Sequence, residues 1–204
     1  GTDCIDGSLP SGEITLDGSQ SSEATIIVED TARFGLRRLT ITGSSPRAVL
    51  VRGNGRLRLE RVTLNGSEGP GATLLDSATA SLAECLLTGN KTHGIELRGQ
   101  SSATLTDTAA AGNGQSGLAV FDDSRVTATR CRMSSNGDWN LVMAQRGRIE
   151  WSEGFLGRSR FAQVDVSEAG HLAISDSLIE GGERFGIFAT GRSSVAASRC
   201  RLIK

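Results

Sequence analysis

Several residue types that usually build a compact core are scarce in this chain of 204 residues. Tyrosine is absent, proline occurs 3 times and aromatic residues make up 4% of the chain. No apolar run approaches the ~20 residues that span a bilayer, and the first residues, GTDCIDG, lack the basic start and apolar stretch of a signal peptide. We therefore expect no insertion into a membrane.

An excess of charge of either sign is also missing. Lys and Arg total 22 against 23 Asp and Glu, which gives a formal net charge of −1. This balance excludes the electrostatic footprint of a nucleic-acid-binding protein and a basic surface that attracts membranes. Hydrophobic residues, at 37%, are too many for a disordered chain. Glycine, with 26 residues, is abundant and favours many turns.

An internal repeat of 23 residues runs through the chain without insertion or deletion. Its blocks begin at Ala24, Arg47, Pro70, His93, Ser116, Trp139, Ala162 and Phe185. Block positions 3, 5, 11, 13, 16 and 18 give 48 sites, of which only Thr108, Gly154 and Ser177 are not apolar. Chance cannot produce such occupancy in a chain that is 37% apolar, so the repeat defines the architecture.

Spacing within the block predicts three short strands. Positions 3 and 5, 11 and 13, and 16 and 18 each alternate as a strand does. The step from 13 to 16 requires a bend at positions 14 and 15, and Gly at position 20 followed by Asn at 21 predicts a second corner. Each block thus describes one coil of a solenoid. Nine coils stacked about 4.8 Å apart would form a rod roughly 43 Å long.

The leucine-rich repeat is the competing solenoid. Leu82 to Asn90 spells L-x-x-C-x-L-x-x-N. A leucine-rich repeat also needs an apolar residue two places after that Asn, and position 23 of the block seldom provides one. The alternation at positions 3 and 5 and at 11 and 13 leaves no room for a helical convex side. These features favour an all-β solenoid and leave the leucine-rich repeat as the alternative.

The pattern G-I-x-L-x-x-x-S-x-(A/V)-x-L-x-x-(T/C)-x-(L/M)-x-x-N resembles the right-handed parallel β-helix repeat of the pectate-lyase-like superfamily. The resemblance covers residues 24–204 and implies an all-β, right-handed parallel β-helix of about nine coils, with three short strands per coil. It also implies an extracellular or cell-surface location, which nothing else in the sequence indicates.

The two ends of the predicted helix differ. Residues 1–23 leave the register, with Asp3, Ser11 and Glu13 at inward positions, and are expected to form an N-terminal cap through Ile5, Ile14 and Leu16. The last coil runs to Lys204 without a cap. Because an uncapped coil exposes strand edges and a dry core, we expect a truncated helix, a further domain or end-to-end pairing there.

Residues 23 apart become neighbours in a stacked solenoid. At position 15 this predicts ion pairs worth about 0.2–1 kcal/mol each. The predicted pairs are Arg61–Glu84, Asp107–Arg130, Arg130–Glu153 and Asp176–Arg199. We assign these charges a structural role.

Cysteine and histidine give no sign of a metal or cofactor site. Cys85, Cys131 and Cys200 share inward position 16 but are two and three coils apart, too far to form a disulfide, and are expected to be buried thiols. No C-x-x-C motif or His cluster exists, and His93 and His171 occupy different block positions. No metal and no cofactor is expected.

The two outer strand faces differ in polarity. Positions 10 and 12 carry arginines and small residues, which indicates a solvated face. Positions 4 and 6 carry large apolar residues, and such a face marks a partner or a ligand more often than not, although strand propensity alone could account for them. The candidate ligand-binding residues are Trp139, Phe185, Phe188, Glu96, Arg98, Asp165, Asp122 and Asp123.

Catalytic motifs of the superfamily are mostly missing. The polygalacturonase-like set would need N-T-D, an Asp pair, G-H-G and R-I-K, of which only Asp122-Asp123 is present, and the epimerase-like D-P-H-D is absent. Glu96 and Asp165 are three coils, about 14 Å, apart, too far for the carboxylate pairs of glycoside hydrolysis. The uniform coils also lack the insertions that build grooves on solenoids.

Three functions remain open from the sequence. The first is a non-catalytic module that binds a polysaccharide or a protein partner on the outer face near Trp139 and Phe188. The second is a polysaccharide lyase, hydrolase or epimerase with an unrecognised site on that face. The third is a structural spacer of a longer protein. The sequence favours the first, and we assign no catalytic residue.

Overall fold

The chain folds into parallel β-strands that wind into a solenoid. The computed structural model describes residues 4–6 and 14–203. In chain order the strands are β1 (Cys4–Asp6), β2 (Ile14–Asp17), β3 (Ile26–Val28), β4 (Arg33–Thr42), β5 (Val49–Val51), β6 (Arg56–Asn65), β7 (Ala72–Leu74), β8 (Thr79–Ala83), β9 (Leu86–Thr88), β10 (Ile95–Leu97), β11 (Ser102–Thr106), β12 (Ala109–Ala111), β13 (Ser116–Val120), β14 (Arg125–Thr129), β15 (Arg132–Ser134), β16 (Trp139–Met143), β17 (Arg148–Ser152), β18 (Phe155–Ser159), β19 (Ala162–Val166), β20 (His171–Ser175), β21 (Leu178–Gly182), β22 (Phe185–Ala189), β23 (Ser194–Ser198) and β24 (Arg201–Ile203).

Two sheets form the walls of the solenoid. One has eight strands in the order β22-β19-β16-β13-β10-β7-β5-β3, and the other has 16 strands. Pairing is parallel and joins residues 23 apart, as in Ile95↔Leu118 and Ala103↔Val126. Within residues 4–6 and 14–203 no helix occurs, so none there could cross a membrane. The predicted all-β, right-handed parallel β-helix is confirmed, and the leucine-rich alternative is wrong.

The number of coils is about eight, so the prediction of nine was slightly wrong. The eight-stranded sheet begins at β3, and the two preceding strands pair with β4 instead. Residues 1–23 do not follow the apolar pattern of the repeat, which in the later coils places a strand on this wall. A second difference is that β4 and β6 run through the position-15 corner as single strands of 10 residues.

The corners are single residues with left-handed backbone, which occur at positions 7 and 15 in all eight coils and at position 20 in the first six. The corner at position 15 is confirmed, as at Glu84 with φ 53°. The corner at position 20 is confirmed and falls on glycine in four coils, as at Gly112 with φ 65°. A third corner at position 7, as at Asp122 with φ 56°, was not predicted, because Asp, Gly, Gln and Glu share that position.

The core is the inside of the coil. Leu105 is fully buried and Trp151 is 2% exposed, as their inward positions require. The non-apolar residues at inward sites have structural explanations. A side chain at Gly154 would clash with the indole of Trp151. Thr108 donates its hydroxyl to Thr106 O at 3.0 Å, and Ser177 Oγ accepts the backbone N–H of Gly154 at 3.0 Å.

A ladder of buried amides lines one inner corner. Asn113 Oδ1 accepts from Asn90 Nδ2 at 2.9 Å, and Asn113 Nδ2 donates to Asn136 Oδ1 at 3.0 Å. Asn136 Nδ2 donates to Asn140 Oδ1 at 2.7 Å, and Asn140 Nδ2 donates to Gln163 Oε1. Each amide therefore finds partners in the coils beside it, which satisfies polar groups that water cannot reach.

Three of the four predicted ion pairs at position 15 form. The distances are 2.9 Å for Arg61–Glu84, 2.8 Å for Arg130–Asp107 and 2.6 Å for Arg199–Asp176. The fourth, Arg130 with Glu153, does not form between these described residues, because the guanidinium of Arg130 faces Asp107 with two nitrogens.

The cysteines at position 16 are free thiols. Cys85 and Cys131 are buried, and Cys200 is partly exposed. Burial raises the pKa of Cys85 and of Cys131 to about 11. A thiol with so high a pKa stays protonated and unreactive, as expected of a small core residue.

The ends of the solenoid differ in the packing of their inward side chains. Ile14 and Leu16 pack against the core beside β4. Asp3, Ser11, Glu13 and the side chain of Ile5 lie outside the residues that the structure describes, so a cap formed by residues 1–23 stays a prediction. In the last coil Leu202 is 56% exposed although its position is inward. Pairing or a further domain at that end also stays a prediction.

Candidate functional site

Four aromatic side chains form one continuous group on the outer face of the eight-stranded sheet. We call Trp139, Phe161, Phe185 and Phe188 the aromatic surface. The ring centroids are 6.2 Å apart for Trp139–Phe161, 6.0 Å for Phe161–Phe185 and 5.2 Å for Phe185–Phe188. The first two contacts are edge to face, and Phe185 is 41% exposed. The rings therefore support one another and leave part of their area to solvent.

Phe161 connects two rings that the sequence places two coils apart. The strand between Trp139 and Phe185 begins with Ala162, whose small side chain cannot fill the gap. Phe161 precedes it at position 23 and occupies the space. Sequence reasoning missed Phe161 because position 23 holds no consistent residue type. A phenylalanine next to a small residue at position 1 was the available signal.

Two polar atoms beside the aromatic surface have no hydrogen-bond partner among the described residues. They are the indole N–H of Trp139 and Oδ1 of Asp165. Asp165 lies on the sheet between Val142 and Phe188, and burial raises the pKa of this carboxyl. Buried polar atoms usually have partners, so a donor and an acceptor left open here indicate a place for a polar ligand.

A shallow cavity adjoins the aromatic surface. It has a volume of about 440 Å³ and is lined by Trp139, Phe161 and four charged residues, Asp138, Arg160, Glu183 and Arg184. The guanidinium of Arg184 lies 5.2 Å from the ring centroid of Phe161, which is within the range of a cation–π contact. The rim of the aromatic surface is therefore polar and of mixed charge.

Glu96 and Arg98 belong to a second group on the same sheet. Arg98 Nε lies 2.5 Å from Glu96 Oε1, and its guanidinium lies 4.5 Å from the ring centroid of Phe121. The ring of His93 contacts Phe121 edge to face at 6.4 Å. Burial lowers the pKa of His93, so its imidazole is neutral at pH 7, and its Nδ1 has no partner among the described residues.

Asp122 and Asp123 are engaged in holding the position-7 corners together. Asp122 Oδ2 accepts the backbone N–H of Gly99 at 2.9 Å. Asp123 pairs with Arg146 through both carboxylate oxygens, at 2.5 and 2.6 Å. The structure thus brings Trp139, Phe185, Phe188 and Asp165 together, places Glu96 and Arg98 in a separate group, and gives the aspartate pair structural contacts.

The described residues contain no group of three or more His, Cys, Asp or Glu side chains that could hold a metal ion. The residues described above form an aromatic surface with a few polar atoms and, on the same sheet, a group of His93, Glu96 and Arg98.

Comparison with known proteins agrees with this architecture. The family model described as "Right handed beta helix region" matches residues 24–203, and the chain therefore belongs to that family. A search of curated proteins gave no match.

Two solved structures share the fold. One is the crystal structure of pectate lyase Pel9A, with a TM-score of 0.69 and 14% identity over 96% of this chain and 57% of that one. The other is the A-module of the mannuronan C-5 epimerase AlgE6 of Azotobacter vinelandii, with a TM-score of 0.52 and 12% identity over 100% of this chain and 86% of that one. The pectate-lyase-like fold is thus established, and this chain spans 57% of the length of the first of these structures.

Proposed function

We propose that this chain is a non-catalytic β-helix module that binds a polysaccharide on its aromatic surface. The observation that carries the proposal is the continuous group of Trp139, Phe161, Phe185 and Phe188, which remains partly exposed on an outer sheet face. Aromatic rings offer a large apolar area at a small cost in conformational entropy. The C–H faces of a sugar ring can cover such an area.

The two unpartnered polar atoms favour a sugar over a purely apolar partner. A sugar hydroxyl can accept from the Trp139 indole N–H, and another can donate to Asp165 Oδ1. The carboxylate of Asp165 would repel a uronate placed directly against it, so the ligand at this surface is a neutral sugar. This proposal does not require Asp122, Asp123 or the Glu96–Arg98 pair.

The regularity of the coils supports binding without turnover. The seven coils of residues 24–184 have 23 residues each, so no loop insertion rises from them beside the aromatic surface to exclude water. Catalytic sites on solenoids and barrels are usually built by such loops. An open platform suits a polysaccharide chain that is held on its surface.

The test measures retention on insoluble neutral polysaccharides by the wild type and by the double variant Trp139→Ala/Phe185→Ala. Loss of two stacking rings should weaken binding by at least about tenfold, which corresponds to about 1.4 kcal/mol, and the melting temperature should change little because neither ring is inward. Phe155→Ala serves as the matched control, since Phe155 is a partly buried ring on the other sheet, stacked under Arg132 at 4.1 Å.

If the double variant unfolds, the milder Phe185→Ser variant decides whether binding depends on the exposed ring. Two results would contradict the proposal. Retention equal to that of the wild type would assign the surface to a protein partner. Absence of retention by the wild type on every polysaccharide tried would favour a structural spacer.

A second candidate function is an enzyme that acts on polysaccharides, and the group of His93, Glu96 and Arg98 favours it. A neutral buried imidazole beside a guanidinium and a carboxylate provides the elements of proton transfer. The two structural neighbours are described as a lyase and an epimerase. Release of unsaturated product from polyuronate, lost in His93→Gln and Arg98→Gln variants, would support this candidate. Absence of product with intact binding would exclude it in favour of the binding module.

A further inference from the structure

Asp165 is an isolated carboxylate among the apolar residues beside the aromatic surface. It lies on β19 between Val142 of β16 and Phe188 of β22, which are its direct Cα partners. These three strands carry no other charged residue. Oδ1 of Asp165 is buried and has no hydrogen-bond partner among the described residues. The position therefore presents an acceptor without a donor, next to apolar side chains.

The rings near Asp165 meet at different angles. Phe185 and Phe188 are inclined by 31° and their centroids are 5.2 Å apart, so one sugar ring can lie across both. Phe161 is inclined by 63° to Phe185 and by 76° to Trp139. A flat group cannot stack on two rings that are so steeply inclined, but a methyl group can contact both. The surface thus combines a place for a sugar ring with angles that suit a small apolar substituent.

A substituent of that sugar can reach Asp165. The backbone of Asp165 lies one coil from that of Phe188, at the strand spacing of about 4.8 Å. The substituent has to donate one hydrogen bond to Oδ1 and be apolar elsewhere, because Val142 and Phe188 on either side offer no polar side-chain atom.

Three common substituents of a sugar ring differ in how well they meet this requirement. A hydroxyl donates but also brings acceptor lone pairs, and a polar group without a partner in apolar surroundings is costly. An ammonium group brings three donors to one buried acceptor. An acetamido group donates through a single N–H, and its methyl group is apolar. The acetamido group is therefore the best match.

From this geometry we propose that the aromatic surface selects 2-acetamido sugars, whose acetamido N–H donates to Oδ1 of Asp165 while the methyl group packs against the rings. The inference rests on the proposed function and names the class of neutral sugar that the surface prefers. The carbonyl oxygen of an acetamido group or a sugar hydroxyl can accept from the indole N–H of Trp139, the other polar atom without a partner here. Both atoms then obtain the partners that buried polar groups usually have.

The test compares three β-1,4-linked tetrasaccharides that differ only in the substituent at C2. The tetramer of N-acetylglucosamine carries acetamido groups, the tetramer of glucose carries hydroxyls, and the tetramer of glucosamine carries amines. Calorimetric titration of the wild type should show that the acetamido tetramer binds about tenfold more tightly than the glucose tetramer, as expected for a hydrogen bond to a charged group. The amine tetramer should bind no more tightly than the acetamido tetramer.

The variant Asp165→Ala should remove most of this preference. Its affinity for the acetamido tetramer should fall about tenfold, and its affinity for the glucose tetramer should fall much less. The melting temperature should not decrease, because the oxygen removed has no partner. If this variant does not fold, Asp165→Asn, which keeps the shape and removes the charge, should reduce the preference in the same direction.

Thr190→Ala is the matched control. Thr190 is exposed on the next coil, and its backbone N–H donates to Val166 O at 2.9 Å, a bond that alanine retains. The control should keep both the affinities of the wild type and their ratio. Trp139→Ala/Phe185→Ala should instead weaken binding of the acetamido and glucose tetramers alike, which separates the contribution of the rings from that of Asp165.

The selectivity is overturned if the wild type binds the acetamido and glucose tetramers equally, if the amine tetramer binds most tightly, or if Asp165→Ala keeps the preference of the wild type. Each of these results leaves the proposed function in place as long as binding depends on Trp139 and Phe185. Retention on another neutral polysaccharide without binding of any tetramer would also overturn only the selectivity. Absence of retention on every polysaccharide would overturn both the selectivity and the proposed function.

Discussion

Replacing Asn113 with alanine should test how much the buried amide ladder contributes to stability. Asn113 is 2% exposed. Its Oδ1 accepts from the backbone N–H of Asn90 at 3.2 Å and from Asn90 Nδ2 at 2.9 Å. Its Nδ2 donates to Leu87 O at 3.1 Å and to Asn136 Oδ1 at 3.0 Å. All four hydrogen bonds are lost in the variant.

The cost follows from which groups are left without a partner. Asn90 Nδ2 keeps a bond to Leu64 O at 3.3 Å, and Asn136 Oδ1 keeps the backbone N–H of Asn113 at 3.1 Å. The backbone N–H of Asn90 loses Asn113 Oδ1 as its acceptor, and a buried unsatisfied donor costs about 1–3 kcal/mol. The other lost bonds add about 0.5–1.5 kcal/mol each, without full additivity. We expect a loss of about 3 kcal/mol.

The measurement is equilibrium unfolding in urea, with Asn54→Ala as the matched control. Asn54 is exposed, and its backbone N–H donates to Asp30 O, a bond that alanine retains. The control should change stability by less than about 0.5 kcal/mol. Equal effects of the two substitutions would refute the view that the ladder stabilises the stacked coils.

Two further predictions concern the core. Leu105→Ala should lower the free energy of unfolding by roughly 2–5 kcal/mol, as removal of a fully buried side chain does. Arg148→Ala should lower it by under about 0.5 kcal/mol. Equal losses in chemical unfolding would contradict the assignment of Leu105 to the interior. Because burial raises the pKa of Cys85 and Cys131 from 9.0 to about 11, stability from these thiols should be complete below pH 9 and fall as pH rises towards 11. In the Cys85→Ala/Cys131→Ala variant, the free energy of unfolding should no longer show this decrease between pH 9 and 11. The same pH dependence in the variant and the wild type would contradict the burial of these two thiols.

The repeat made most of the fold predictable. Six inward positions per block define the coil because each apolar side chain must face the interior. Two of the three corners were predicted from a skipped residue and from the Gly-Asn pair. The position-7 corner was not, because its left-handed backbone is held partly by contacts between coils, such as the carboxylate of Asp122 on the N–H of Gly99. Contacts of this kind are not visible in one block.

The candidate site was less predictable, because contacts on an outer face depend on how side chains turn. The sequence placed Trp139, Phe185 and Phe188 on one face, and their mutual contact through Phe161 required the structure. Glu96 and Asp123 were candidates on the basis of charge alone. Glu96 pairs with Arg98 in its own coil, which a comparison of residues 23 apart does not reveal. Asp123 pairs with Arg146, 23 residues further on, so the comparison that predicted the position-15 pairs could also have found this one.

Retention and product release measured in the same sample test the central claim most directly. Wild-type protein is incubated with insoluble neutral polysaccharide and, separately, with polyuronate in the presence of Ca²⁺, and both bound protein and soluble sugar products are quantified. A binding module should be retained on a neutral polysaccharide and release no product from either polymer. Release of product that increases with time and protein concentration would contradict the account and assign the chain to the enzymes of its fold.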